Sequence, residues 1–366
     1  MALVHYSRLA SLRLTTSGPR LVVGLIGLAG VIAGCSKSPT VPPFLPGGDR
    51  LRFQSQVTSV IAGVVIPPFK IQIVDTGGFL VNRSAVDITL TLDSTDPRDT
   101  LFGPTVAQTV QGDATFGNLF FKHAAPNLRL VATARGLTGA VSQAFSVSVG
   151  APSKLAFSVQ PSSVIAGDKM VPPPQVVVQD AVGNPIANDT GLVVLQVLTG
   201  PSGATPRNGA VNAVAGTARF DSVRINTAGP SFTLQAVGPA GRNLQPAISS
   251  LFVVTPGAPR KVVFTQQPSQ SVVNTAINPP MTVSVADSLN NIATSFSGPI
   301  VLNIDVNPTG AALSGTTTIN AASGVATFSG ISINIPCSSL NCYRLRATAA
   351  AIPADTARSG FFTIVP

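Results

Sequence analysis

From Leu51 onward the chain is a succession of short stretches in which apolar and polar residues alternate, broken roughly every ten residues by Gly, Pro, Asn or Asp. Alternation with a period of two places every second side chain on one face, so each stretch reads as a half-buried strand and each break as a turn. The clearest stretches surround a phenylalanine: LRFQSQ at Phe53, LAFSVQP at Phe157 and VVFTQQP at Phe264. One segment departs from this pattern: Leu21 to Gly34 (LVVGLIGLAGVIAG) is uniformly apolar and has no alternation.

The stretches recur as three copies of one unit. The phenylalanines lie 104 and 107 residues apart, a spacing that suits an autonomous sandwich and is too long for a solenoid unit. Each copy continues with a proline pair: Pro67-Pro68, Pro172-Pro173 and Pro279-Pro280. An aspartate at a turn follows, Asp75, Asp180 or Asp287, and then Gly-x-Ala-x-Phe ending at Phe116, Phe220 or Phe328. A penultimate strand around Leu130, Leu234 or Leu345 leads to a last alternating strand. In the second copy, strands are predicted near Lys154–Gln160, Gln175–Gln179, Leu192–Leu198, Ala210–Val214, Thr217–Ile225, Ser231–Val237 and Ile248–Thr255. Seven short strands of this kind predict an all-β fold of three tandem immunoglobulin-like β-sandwich domains, at 50–150, 151–257 and 258–366. The phenylalanines, Phe53, Phe116, Phe157, Phe220, Phe264 and Phe328, are expected as core plugs. Proline cannot donate to a ladder, so the proline pairs are expected where the first strand leaves one sheet for the other.

Composition agrees with strands. The chain has 31 Pro and 33 Gly, no Trp, and 14 acidic residues that are all Asp. The residues that fill exposed helix faces are scarce. An apolar share of 45% is too high for a disordered chain.

The apolar run 21–34 follows a leader that carries Arg8, Arg13 and Arg20 and no acid. Its 14 residues are short for a membrane span and right for the core of a signal peptide. It closes on Ile32-Ala33-Gly34-Cys35, which resembles the bacterial lipobox: an aliphatic residue, two small residues, then cysteine. The resemblance implies a lipoprotein signal peptide at 1–34, cleavage before Cys35 and lipidation of its thiol. The membrane would then be a partner through that lipid. Ser36 after the cysteine implies the outer membrane of a cell envelope, on its periplasmic or surface face. Residues 35–49, rich in Pro, Gly and Ser, read as the lipidated cysteine and a tether.

Charge then excludes a class of partner. The formal net charge is +9, but three of the 23 basic residues leave with the leader. That leaves 20 against 14 acids, a balance of +6. The basic residues are scattered and not interleaved with aromatics, so no nucleic acid is expected.

The pattern F-x-x-Q-P, Asp-x-x-Gly-Asn, then Gly-x-A-x-F resembles the bacterial immunoglobulin-like repeats of the invasin and intimin type. It covers nearly all of residues 50–366. Gly-x-A-x-F holds in every copy, while the Gly-Asn-Pro turn is complete only at Gly183-Asn184-Pro185. The barrel and lectin-like domains of full-length invasins have no counterpart in these residues. The resemblance therefore implies the fold and a stalk-like role.

Candidate chemistry is sparse. His123 is the one histidine after the leader, in a loop whose counterparts hold Asn226 and Asn334, and it is expected to be solvated. Asp93, Asp96 and Asp99 are the densest acids and have the spacing of a calcium loop. Arg98 lies among them and the other copies lack them, so a solvated loop is expected. Asp75, Asp180 and Asp287 have too few charged oxygens nearby to hold calcium. No catalytic residue, metal or cofactor is therefore assigned. Cys337 and Cys342 bracket a small insertion in the third copy and are expected as a disulfide in an oxidising envelope. The function expected is a non-catalytic, monomeric structural stalk or adhesion module with a protein or glycan ligand. The alternatives are a glycan- or peptidoglycan-binding module and an accessory subunit of a surface complex. Sugar sites on sandwiches use exposed aromatics, and here there is no Trp and the one tyrosine after the leader, Tyr343, is placed in a strand after Cys342, which counts against the glycan reading.

Overall fold

The computed structural model describes residues 48–353 and 355–366; Cys35, the leader and most of the tether lie outside them. Among the described residues there is no helix, and the strands build three successive β-sandwiches. Each has its own core, spanning Leu51 to Val147, Leu155 to Val254 and Val262 to Ile364.

The second sandwich shows the plan. One sheet joins Lys154–Val159, Gln175–Gln179 and Thr217–Arg219, all antiparallel. The other runs Val164–Ile165, Phe252–Thr255, Gly229–Val237, Leu192–Thr199, Ala210–Asn212, with Val164–Ile165 parallel to its neighbour. Alternation does what the sequence implied. Val176 and Val178 from one sheet meet Val193, Leu195 and Leu234 from the other, all at 2% exposure or less. Phe220 closes the middle at 0% and Phe232 stacks on Phe252 with centroids 5.6 Å apart. Phe53, Phe116, Phe264 and Phe328 are likewise buried, and Phe157 is half-buried against its core.

Two predicted strands are each broken in two, for a physical reason. Thr217–Ile225 divides into Thr217–Arg219 and Arg224–Ile225, which pair with different partners. Phe220 turns into the core at the break, where its N–H is taken by the Pro174 carbonyl (3.0 Å). Ile248–Thr255 divides at Ser249 into Ala247–Ile248 and Phe252–Thr255. The Ser249 hydroxyl accepts the Leu234 N–H (2.9 Å) and donates to the Ser250 carbonyl (2.8 Å), so a side chain replaces one rung of the ladder. Ser142 and Ser359 do the same for Leu130 and Leu345.

The proline pairs are not where the first strand changes sheet. The crossing lies at residues 160–163, between Lys154–Val159 and Val164–Ile165, and Pro172-Pro173 come later, on the approach to Gln175. The crossing is held by the glutamine three residues after the repeat's phenylalanine. Gln160 Oε1 accepts the Ser250 N–H (2.9 Å), as Gln56 does for Gln143 and Gln267 for Gly360 (both 2.8 Å). A backbone donor just ahead of the last strand would otherwise lack a partner.

The glycine of Gly-x-Ala-x-Phe is required by its conformation. Gly112, Gly216 and Gly324 have φ of 90°, 75° and 82°, and a Cβ there would run into the carbonyl oxygen of Val81, Ile186 or Ala293. Left-handed backbone costs a side chain about 1–2 kcal/mol, before the collision is counted. Gly216→Ala is expected to lower the melting temperature of the second sandwich by several degrees or more, read by calorimetry.

Candidate functional site

The most organised polar chemistry lies where one sandwich meets the next, and it occurs twice. Asp180 ends the strand Gln175–Gln179 and begins the turn Ala181–Asn184. Its Oδ1 accepts the N–H groups of Val182 (3.0 Å), Gly183 (2.8 Å) and Asn184 (2.8 Å). Its Oδ2 accepts the N–H of Gly150 (3.1 Å), in the linker, and Asn184 Nδ2 (2.7 Å). With its own orientation fixed, Asn184 reaches the preceding sandwich: Nδ2 donates to the Lys122 carbonyl and Oδ1 accepts the Ala124 N–H, at 2.8 and 3.1 Å. Beside it, Val182 packs against the core of the first sandwich and abuts Gly63.

The junction between the second and third sandwiches repeats this plan with one bond fewer onto the carboxylate, because the Asn290 N–H goes to the Asp287 carbonyl (3.2 Å). Asp287 accepts from Leu289 N (2.8 Å), Asn291 N (2.9 Å), Gly257 N (2.9 Å) and Asn291 Nδ2 (2.9 Å). Asn291 then donates to the Asn226 carbonyl and accepts the Ala228 N–H, both at 2.8 Å. Leu289 abuts Gly167.

Both aspartates are buried, at 1% exposure. Burial pushes the Asp180 carboxyl up. Hydrogen bonds from the Asn184 side chain and from the backbone N–H groups of Gly150, Asn184 and Gly183 outweigh it, and the net position is below the ordinary value of 3.8. The balance at Asp287 is the same, with Asn291, Gly257 and Leu289 as donors. An ionised carboxylate with this many charge-assisted donors is a rigid hub. The sequence placed these aspartates in turns; their burial and their reach to the linker come from the structure. The asparagines were missed as functional residues. Their signal was an Asp-x-x-x-Asn spacing in copies two and three that copy one lacks.

The acidic loop and His123 are not simply solvated. Asp99, its side chain 6% exposed, binds His123 Nδ1 at 2.7 Å and the Ser94 hydroxyl at 2.5 Å. Arg98 forks onto both oxygens of Asp96, holding that carboxyl at about 2, chiefly through the side-chain hydrogen bond. The loop folds back on itself, which brings Asp99 to a histidine 24 residues away. One ligand atom each from Asp96, Asp99 and His123 lie within 4.8 Å of one another. A cation there would have to displace the Arg98 guanidinium. A hydrolytic triad needs its hydroxyl on the imidazole nitrogen opposite the carboxylate. Ser94 instead donates to the carboxylate itself. Asp93 lines the same open concavity and joins neither pair.

Cys337 and Cys342 are joined, with Cα atoms 6.0 Å apart, and Leu340 between them is 93% exposed. Tyr343 is fully buried, its hydroxyl donating to the Ile335 carbonyl (2.9 Å) and paired with Thr309 (2.6 Å), so it offers no platform to a sugar.

No protein-family model matches the chain, and no curated protein matches it as a relative. Among solved structures, InvD of Yersinia pseudotuberculosis is similar over 86% of this chain and 97% of its own, at 17% identity and a TM-score of 0.28. The adhesin InvE of the same organism is similar over 57% of this chain, at 14% identity and a TM-score of 0.26. A β-glycosidase from Bacteroides vulgatus is similar over 57% of this chain, at 15% identity and a TM-score of 0.22. The chain spans 60% of that InvE structure and 25% of the glycosidase. Likeness at this level assigns no activity.

Proposed function

We propose that this protein is a non-catalytic cell-envelope lipoprotein, anchored through lipid on Cys35, whose three sandwiches act as a stiff stalk or adhesion module. The observation that carries the stalk reading is the junction built twice on the same plan, a buried aspartate that binds the linker and an asparagine that reaches the preceding sandwich. Flexible linkage is the ordinary state of neighbouring domains, and a hydrogen-bonded hub that ties linker, turn and preceding sandwich together opposes it. The anchor reading rests on the sequence Ile32-Ala33-Gly34-Cys35 after a short apolar run. A lipid chain contributes membrane affinity for each buried methylene, and several chains on one cysteine give stable attachment.

Two measurements test this. Growth with an alkyne-tagged fatty acid is expected to label the native chain and not Cys35→Ala, which should also leave the membrane fraction. Equal labelling of the two removes the anchor. Protease treatment of intact cells, with an epitope after Pro366, is expected to remove the epitope if the module works at the surface. Protection until the outer membrane is opened makes the protein a periplasmic spacer and ends the adhesion reading.

A further inference from the structure

The two junctions share a chemistry that has a direction. The later sandwich supplies a plug: the turn Asp-x-Val/Leu-x-Asn, whose apolar tooth is Val182 or Leu289 and whose amide is Asn184 or Asn291. The earlier sandwich supplies a socket with two requirements. One is a residue without a side chain under the tooth. A Cβ on Gly63 would lie 2.8 Å from Val182 Cγ1, and one on Gly167 2.8 Å from Leu289 Cδ1. The other is a backbone N–H facing the amide oxygen, from Ala124 or Ala228.

All three repeats contain the same backbone at these places, so the remaining two poles can be compared residue by residue. In the first repeat the turn is equivalent by its bonds: Asp75 N–H donates to the Phe79 carbonyl (3.0 Å), as Asp180 does to Asn184 and Asp287 to Asn291. Phe79 N–H also returns to Asp75 Oδ1 (2.9 Å), matching its counterparts. Yet the tooth position is Gly77 and the amide position is Phe79, which is 75% exposed. In the third repeat, Asn274 N–H donates to the Ile333 carbonyl (3.0 Å), as Gly63 does to Phe121 and Gly167 to Ile225. The socket glycine is therefore Asn274, with φ 57°, a conformation asparagine tolerates. Three residues beyond that carbonyl, where Ala124 and Ala228 offer an N–H, stands Pro336, which has none.

We propose that the sandwiches of this chain stack through a directional plug and socket, present at both junctions and erased at both remaining poles, so that the three-repeat stack admits no further copy of itself. Each outer pole has lost both elements of its half, through four substitutions at positions whose surrounding backbone is unchanged. The first repeat keeps its socket and has lost its plug; the third keeps its plug and has lost its socket. The partner this surface fits is a sister repeat with the opposite half, and the order of the repeats is written in which halves survive. This goes beyond the stalk reading, which needs the stack to be stiff and does not need it to be closed.

The erased halves can be moved inward and tested. In the full-length chain, V182G/N184F gives the second repeat the first repeat's turn, and G167N/A228P gives it the third repeat's pole. Every introduced residue is one that a sister sandwich already carries at that position, so the folds are expected to survive, which circular dichroism checks. Spin labels at cysteines replacing the exposed Thr115, Arg219 and Thr327 report distances across each junction by pulsed electron resonance. The native chain is expected to show narrow distributions at both. V182G/N184F should broaden the 115–219 distribution by roughly twofold or more and leave 219–327 alone; G167N/A228P should do the reverse. Distributions as narrow as native in both variants overturn the plug and socket while leaving a stiff stalk standing. Broad distributions in the native chain overturn the stalk as well.

Discussion

Phe220→Ala is expected to destabilise the second sandwich by about 3–5 kcal/mol, enough to unfold much of a typical domain's margin of 5–15 kcal/mol. Phe220 is fully buried between the two sheets, among side chains from both. Removing its ring loses the transfer energy of the ring and leaves a cavity that rigid ladders on either side cannot close. The strand that leads into Phe220 is held in register, with Val176 opposite Ala218 and Val177 opposite Thr217, so its backbone cannot shift to fill the gap. Calorimetry of the whole chain should show one transition shifted down and the others near their native positions, because each sandwich has its own core. Phe157→Ala, at a half-buried position of the same sandwich, should cost clearly less. Equal effects at the two positions would mean that burial does not set the cost here.

The contrast between Phe220 and Asn184 shows what was readable in the sequence. Phe220 was legible because a strand's period of two and a threefold repeat both mark it, and a core plug needs only to be apolar and to point inward. The strands were legible on the same ground, apart from their interruptions. Thr217–Ile225 looked continuous because its alternation is continuous; what breaks it is the turn of the chain at Phe220, a tertiary event. The split at Ser249 depends on a hydroxyl meeting an N–H on another strand, 15 residues away. Asn184 could not be read at all in this way, since the groups it holds, at Lys122 and Ala124, lie 62 and 60 residues before it. His123 was misread for the same reason: its partner Asp99 lies in another loop. The proline pairs were misplaced because proline's missing donor constrains where it cannot be, not which crossing it serves.

The hub aspartates should behave very differently from their first-repeat counterpart. In Asp180→Ala, the N–H groups of Val182, Asn184 and Gly150 lose the carboxylate at once, Gly183 N–H keeps only the carbonyl of residue 180 (3.3 Å) and Asn184 Nδ2 only that of Lys122 (2.8 Å), at a site with little access to water. Hydrogen bonds to a charged group contribute about 1.5–3 kcal/mol each and do not add in full. A loss of about 3 kcal/mol or more is therefore expected, divided between the turn and the junction. Asp75→Ala removes one acceptor from one backbone N–H at a half-buried turn that, among the described residues, docks on no other sandwich, and about 1 kcal/mol is expected. The dependence on pH has a definite sign. The folded-state carboxyls of Asp180 and Asp287 lie below 3.8, so their contribution is complete above the unfolded value near 4 and is lost as pH falls through the folded one. Stability and the narrow distance across each junction should hold from neutral pH to about pH 5 and fall away only below about pH 4. In Asp180→Ala the 115–219 distance should already be broad at neutral pH, and lowering the pH should change it no further. A native junction that loosened above pH 5 would show that some group other than these carboxylates holds it.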